Sequence, residues 1–434
     1  MSRKIQSVRG MNDILPDQTY HWRHLESSLA RICSLYGYEE IRPPLLERTE
    51  LFKRSIGEAT DIVEKEMYTF IDNNGESVTL RPEATASCVR AGVEHGLFHN
   101  QQAKLWYLGP MFRHEKPQKG RYRQFHQFGI EAIGWPGPDA DAELQMFAAR
   151  LFEEVGISSV TLEINTLGSP TSRTLFRDDL KEYLHRHEAD LDEDSRRRLE
   201  RNPLRILDSK VETTREILKD APRLTNYLDE QSLADFNRLG QLLDAAGIAY
   251  RVNDRLVRGL DYYTSIVFEW VTDRLGAQGA VCAGGRYDGL IEQLSGRPAP
   301  AAGFALGIER LLELMQIEGN TVDAEVADIY LATLGDEAEI IGVSLAETLR
   351  NSELKVRNHL GGGNFKKQLK KADQSGARFA LIIGEEEVTQ QVVTVKDLRY
   401  ETGQIKVPID EIGAQLIGML RANAGNPEYS KFEN

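Results

Sequence analysis

The stretch Phe125–Ile133 alternates, and the two faces it creates restrict what the chain can build. In an extended strand, successive side chains point to opposite faces. One face then carries His126, Phe128, Ile130 and Ala132, mostly apolar and suited to packing beneath helices. The other carries Phe125, Gln127, Gly129, Glu131 and Ile133, so an amide and an acid flank a glycine. A glycine inside a strand opens room for something lying on the sheet. A covered acid and amide need hydrogen-bonding partners, from the protein itself or from a polar ligand. This strand therefore predicts a sheet with helices on one face and a ligand site on the other.

The segment before it supplies charge. Between Arg113 and Arg123 stand five Lys or Arg residues and one acid, with Pro117 and Gly120 marking a loop between two strands over residues 105–133. Cations on a hairpin suit a polyphosphate ligand, although a solvated hairpin tip is the ordinary alternative. Glu83 follows Arg81-Pro82 at the start of a helix, where an acid complements the helix dipole or faces an amino group. Arg258 precedes Gly259 and the pair Tyr262-Tyr263 at a strand edge, so it can approach an anion closely. Gly284-Gly285-Arg286-Tyr287 reads as a glycine-rich turn leading into a helix. It lacks both the Lys-Ser/Thr of a P-loop and the GxGxxG spacing. Gly303–Leu311 reads as a strand passing into a helix with Arg310 in its first turn. A cation is disfavoured there unless an ion pair, a phosphate or a base compensates.

The remaining pattern sets the organisation. A chain of 434 residues exceeds one compact core. Residues 17–36 form an apolar helical stripe that Gly37 can end, and a short strand then stops at Pro43-Pro44. Tyr68–Ile71 and Val78–Leu80 flank Asn73-Asn74-Gly75, a hairpin signal. Residues 171–245 are highly charged and helix-forming, and read as a helical insertion. From 328 onward, short apolar runs at 328–334 and 381–383 alternate with helical patterns at 336–350, 364–375 and 409–421. That alternation suggests a separate α/β domain. The expected organisation is a catalytic domain over 1–170 and 246–322, the insertion at 171–245, and the small domain at 326–425.

Three cysteines, Cys33, Cys88 and Cys282, lie far apart without a CxxC pair, so neither a disulfide framework nor a zinc site is expected. No run reaches the roughly 18 apolar residues of a membrane span, and a cytoplasmic setting is expected. The net charge of −14 opposes a nucleic-acid partner. Yet residues 355–371 hold Lys355, Arg357, Lys366, Lys367, Lys370 and Lys371 with no acid, a local basic surface that the total conceals.

Together and in order, these pieces resemble the class II aminoacyl-tRNA synthetases. Residues 112–131 are similar to the second class motif, 303–311 to the third, and the segment ending at Pro43-Pro44 to the first. Leu256–Thr264 and Ala283–Leu290 resemble two stretches typical of the histidyl-tRNA synthetases of bacteria, and the likeness spans nearly the whole chain. It implies an α+β catalytic domain with an antiparallel sheet flanked by helices, a helical insertion approaching the tRNA acceptor arm, and a C-terminal α/β anticodon-binding domain. It implies a histidine–tRNA ligase that is a homodimer and takes ATP, L-histidine and histidine tRNA, with magnesium (Mg2+) accompanying ATP and no metal held by the protein alone. By the same likeness, Arg113 and Arg258 meet the α-phosphate, Arg121 the γ-phosphate, and Glu115, Phe125 and Arg310 the adenine. Glu83, Thr85 and Gln127 hold the α-amino group. Glu131 and Tyr263 hold the imidazole, with Tyr262 and Tyr287 lining the pocket. Gln118 contacts the acceptor end, and Lys366, Lys367 and Lys370 meet the anticodon side.

Three other readings compete. The regulatory subunit of ATP phosphoribosyltransferase shares this catalytic fold, but Arg113, Arg258 and Arg310, the 114–121 loop and the basic C-terminal domain oppose it. Specificity for another amino acid is opposed by the Tyr262-Tyr263 and Gly285-Arg286-Tyr287 segments. A pure RNA-binding protein has no use for Glu83, Gln127 and Glu131.

Overall fold

The computed structural model describes residues 5–424 except 59, 118, 119, 277, 278, 325, 401 and 402. The chain forms two compact units divided between Val322 and Asp323.

The first unit is built on an eight-stranded sheet. Its strands run Glu39–Glu40, Ala103–Phe112, Gln124–Ile133, Ala301–Gly307, Ala280–Arg286, Ile266–Val271, Thr161–Thr166 and Tyr250–Val252, in that spatial order. The six central strands pair antiparallel. Each edge adds one parallel pair, so the sheet is mixed.

One face is covered as the alternation required. Phe128, Ile130, Phe268, Phe304 and Leu306 bury against Leu25, Leu29 and Ile32 of the helix Thr19–Tyr36 and Leu144, Phe147 and Leu151 of the helix Pro138–Glu154. Phe128 stacks near-parallel on Phe147 with ring centres 6.0 Å apart. Each such side chain contributes about 1.5–3 kcal/mol when fully buried. The first helix ends where Gly37 adopts φ +72°, a left-handed cap that a glycine takes without steric cost.

Residues 170–245 are mainly helical, with longer helices at Pro170–His185 and Glu230–Ala245 and shorter ones at Glu193–Arg201 and Glu212–Leu218. Ser169, Asp192 and Asp229 cap three of them, each side chain accepting from the backbone N–H three residues on. The segment joins Thr161–Thr166 to Tyr250–Val252, which pair parallel, so it is the crossover that parallel pairing demands. Its apolar residues Phe176, Leu180 and Leu199 share one core with Val267, Tyr262, Tyr263 and Tyr287.

The second unit has five strands in the order Val356–Asn358, Ile329–Thr333, Phe379–Ile383, Val392–Asp397 and Ile405–Pro408. The first three pair parallel and the last two add an antiparallel ribbon. The helix Phe365–Gln374 buries Gln368, which bonds both the N–H and the carbonyl of Thr333. Its Lys366, Lys367, Lys370 and Lys371 are exposed.

Candidate active site

The face opposite the helices holds a cleft of about 1020 Å³. Its walls include Glu83, Thr85, Arg113, Glu115, Arg121, Phe125, Gln127, Glu131, Arg258, Tyr262, Tyr263, Tyr287 and Arg310. These residues come from separate stretches of the sequence, and the sheet brings them together. Gln118 lies outside the described residues. Lys366, Lys367 and Lys370 belong to the other unit.

Glu131 forms the inner end. It is 1% exposed and stands opposite Gly303 on the next strand. A Cβ on Gly303 would overlap Glu131 Oε2, so that glycine is what leaves room for the carboxylate. Gly129 acts differently from the expectation. It stands opposite Tyr107, and the phenol lies where a Cβ on Gly129 would be. The gap that the glycine opens is therefore filled by protein. Tyr107 hydroxyl donates to Glu131 Oε1 at 3.2 Å, and Tyr287 hydroxyl donates to Oε2. Burial pushes the Glu131 carboxyl up to about 8, against the pull of hydrogen bonds from Tyr287, Thr85 and Tyr107. Tyr107 is the residue that sequence reasoning missed. Its signal was available, since an aromatic facing a glycine across a hairpin marks where the ring folds over.

Around this carboxylate, Tyr262 meets Tyr263 and Tyr287 with ring centres 4.7 and 5.7 Å apart. Thr85 Oγ lies 3.3 Å from Tyr107 Oη. Glu83 is buried and accepts from the Thr85 and Ala86 backbone N–H groups at 2.7 and 3.0 Å, which fixes the start of the helix Thr85–Glu94. Burial raises its carboxyl and those amides oppose the rise. The helix-start reading of Glu83 is thus satisfied, and the carboxylate also lines the cleft. Gln127 Oε1 is buried without a hydrogen-bond partner among the described residues. A buried unpaired carbonyl oxygen is costly unless a ligand or water donates to it.

The outer end is cationic. Arg113 Nε donates to the Pro82 carbonyl at 2.8 Å, and the guanidinium lies 5.2 Å from the Phe125 ring centre. Arg121 donates to Glu115 at 2.6 Å, and Arg113 lies 3.9 Å from the same carboxylate. Arg258 pairs with Glu269 and lies 5.5 Å from the Tyr263 ring centre. Arg310 stands in the first turn of the helix Ile308–Ile317, where burial and then Arg121 lower its pKa. Glu115 and Glu269 offset part of this charge, and the repulsion between Arg121 and Arg310 remains.

The Gly284–Arg286 stretch is a correction. Its glycines predict a turn, but it is the end of the strand Ala280–Arg286. A Cβ on Gly284 would overlap the Gly303 carbonyl oxygen, so the glycine permits a close strand approach instead of a bend. Arg286 is buried and clamps structure, donating to Asp141 at 2.5 Å and to the Trp135 and Gly137 carbonyls at 2.9 and 2.8 Å.

Known proteins carry the same architecture. Residues 10–311 match the family model for histidyl-tRNA synthetase, and residues 328–418 match that for an anticodon binding domain. A curated histidine–tRNA ligase from Halorhodospira halophila is 56% identical over 97% of this chain and 100% of its own. The apo histidyl-tRNA synthetase of S. aureus superposes with a TM-score of 0.81 at 37% identity, over 95% of this chain and 100% of that one. A Bacillus halodurans protein described as an ATP phosphoribosyltransferase regulatory subunit/histidyl-tRNA synthetase shares the fold at 23% identity and a TM-score of 0.66, over 88% of this chain and 99% of that one. Motif order, cleft geometry and a match along nearly the full length agree, and the chain belongs to the histidyl-tRNA synthetase family.

Proposed function

We infer that the chain activates L-histidine with ATP and then transfers the histidine to the 3′ end of histidine tRNA. One observation carries this reading: a buried carboxylate ringed by tyrosine hydroxyls shares a cleft with four arginines. The first feature suits a small side chain with both a donor and an acceptor. The second suits a polyphosphate.

Neutral imidazole offers one N–H and one bare nitrogen. Glu131 accepts from the N–H and Tyr263 donates to the nitrogen, while Tyr262 and Tyr287 close the sides. Glu83, Thr85 and the unpartnered Gln127 carbonyl receive the α-amino group. The histidine carboxylate oxygen then attacks the α-phosphorus of ATP. A mixed carboxylic–phosphoric anhydride, histidyl-adenylate, forms; the bond from the α-phosphorus to the oxygen that bridges it to the β-phosphorus breaks, and pyrophosphate leaves. Two anions must meet, so the site has to neutralise and align them. Arg113 and Arg258 hold the α-phosphate and Arg121 the γ-phosphate. Glu115, Phe125 and Arg310 hold the adenine. A terminal ribose hydroxyl of the tRNA next attacks the histidyl carbonyl carbon, and AMP leaves.

Among the described residues no group of three or more His, Cys, Asp or Glu is poised to hold a metal. Glu269, a carboxylate in the cleft, still fits Mg2+, which takes one or two carboxylates and completes its shell with phosphate and water. When bound, it neutralises phosphate charge.

In this reading residues 1–170 and 246–322 form the catalytic domain, 171–245 approach the acceptor arm with Gln118, and 326–425 bind the anticodon side through Lys366, Lys367 and Lys370. The enzyme works as a homodimer in the cytoplasm. No helix among the described residues is long and apolar enough to cross a membrane. Histidine-dependent ATP–pyrophosphate exchange, followed by charging of histidine tRNA, tests the proposal. Absence of exchange with histidine overturns it.

A further inference from the structure

Arg258, Tyr262 and Tyr263 stand on an irregular stretch between the strands Tyr250–Val252 and Ile266–Val271. Such a stretch has no ladder of its own to fix it, and backbone groups so placed must find partners elsewhere. Most of the side-chain partners come from one source, the helical segment. Arg173, in the helix Pro170–His185, donates through both terminal nitrogens to successive carbonyls, Tyr263 and Thr264, at 3.0 Å each. Arg205 donates to the Gly259 carbonyl, next to Arg258. Asn202 donates to Asp261 at 3.1 Å. In return, Arg255 donates to the Leu218 carbonyl at 3.3 Å. Arg205 is held in turn by Asp61, 4.0 Å away, which also pairs with Arg198 at 3.0 Å.

We propose that the helical segment sets the geometry of both halves of the cleft, with Arg173 and Arg205 as positioning residues that act through Tyr263 and Arg258 respectively. The proposal rests on the ligand assignments above, and it adds a division of labour. Arg173 fixes the backbone of the tyrosine assigned to the imidazole. Arg205 fixes the backbone beside the arginine assigned to the α-phosphate. Displacements of about 1 Å in such groups are enough to cost on the order of a hundredfold in rate. Whatever moves the helical segment therefore changes histidine recognition and phosphate alignment through different bonds.

The test is a split in kinetic constants in the full-length protein, with kcat normalised to the number of active sites counted by an adenylate burst. Arg173→Ala is expected to raise the histidine KM by about tenfold and to change kcat for exchange by less than about threefold. Arg205→Ala is expected to lower kcat by about tenfold or more and to change the histidine KM by less than about threefold. Arg173→Lys and Arg205→Lys keep the charge but lose the fork, and should recover only part of each effect. If Arg205→Ala is poorly folded, Asn202→Ala removes a single hydrogen bond to the same loop and is expected to lower kcat in the same direction. Two outcomes overturn the proposal: both arginine variants within about twofold of the parent, or both changing KM and kcat in the same proportion. A parent enzyme without histidine-dependent exchange would instead overturn the functional reading on which it rests.

Discussion

The Glu131 carboxylate lies over the α-carbon of Gly303, its partner on the neighbouring strand. Any side chain at 303 takes the space of Oε2, and its Cβ also meets the backbone carbonyl oxygen of Ile130. Gly303→Ala is therefore expected to displace Glu131 and to raise the histidine KM by at least about tenfold, because an unpaired buried polar group costs about 1–3 kcal/mol. Steady-state exchange at varied histidine measures it. A KM unchanged in a folded variant would show that the carboxylate does not contact the substrate.

Glu131 also predicts a pH dependence. Its carboxyl is raised from 4.5 to about 8 by burial. The native state then keeps a proton that the unfolded chain has lost, so stability falls as pH rises from about 4.5 towards 8. The slope is at most about 1.4 kcal/mol per pH unit. Urea unfolding at several pH values should show this decline in the parent protein and a flatter profile in Glu131→Gln. The same variant should raise the histidine KM severely, since an amide presents its acceptor and its donor differently.

Arg258→Ala is expected to reduce exchange by about a hundredfold or more while histidine binding weakens far less. An arginine aimed at charge that develops in the transition state contributes most there. Equilibrium binding of histidine beside the exchange rate separates the two quantities. Equal loss of both would count against the assignment.

The helix Phe365–Gln374 predicts a salt effect. Exchanging Lys366, Lys367 and Lys370 for Gln should weaken tRNA binding and flatten its dependence on salt, by about 0.7–0.9 in log–log slope for each phosphate that is no longer neutralised. Exchange without tRNA should be unaffected. Titration of tRNA at several salt concentrations reads both.

Much of this was legible beforehand because local chemistry and the final fold agree. The alternation from Phe125 to Ile133 produced one helix-covered face and one cleft face, as its period requires. The helix Asp336–Arg350 begins and ends where the sequence placed it, and Gly303–Leu311 passes from strand into helix as expected. What escaped depends on the register in which strands pair, which the alternation within one strand does not state. Tyr107 gains its meaning only from facing Gly129, and Gly284 only from the carbonyl of Gly303. The ribbon Val392–Asp397 with Ile405–Pro408 was missed although Val392, Val393, Thr394 and Val395 favour a strand. The parallel pairs at the two sheet edges were likewise invisible, because nothing in a short run of residues states which neighbour it will have.

The helical segment occupies a crossover between the edge strand Tyr250–Val252 and its neighbour Thr161–Thr166. A connection in that place can grow or shrink without rethreading the sheet, and doubling its length costs only about 0.6 kcal/mol in closure entropy. Its freedom is topological only. Arg173, Asn202 and Arg205 anchor it to the stretch from Gly259 to Thr264. Evolution can vary its outer helices, and an engineer can splice into them, provided those three anchor points keep their spacing. Replacing the three anchors while sparing the sheet and the shared apolar core would leave a folded protein with a slack loop beside the cleft.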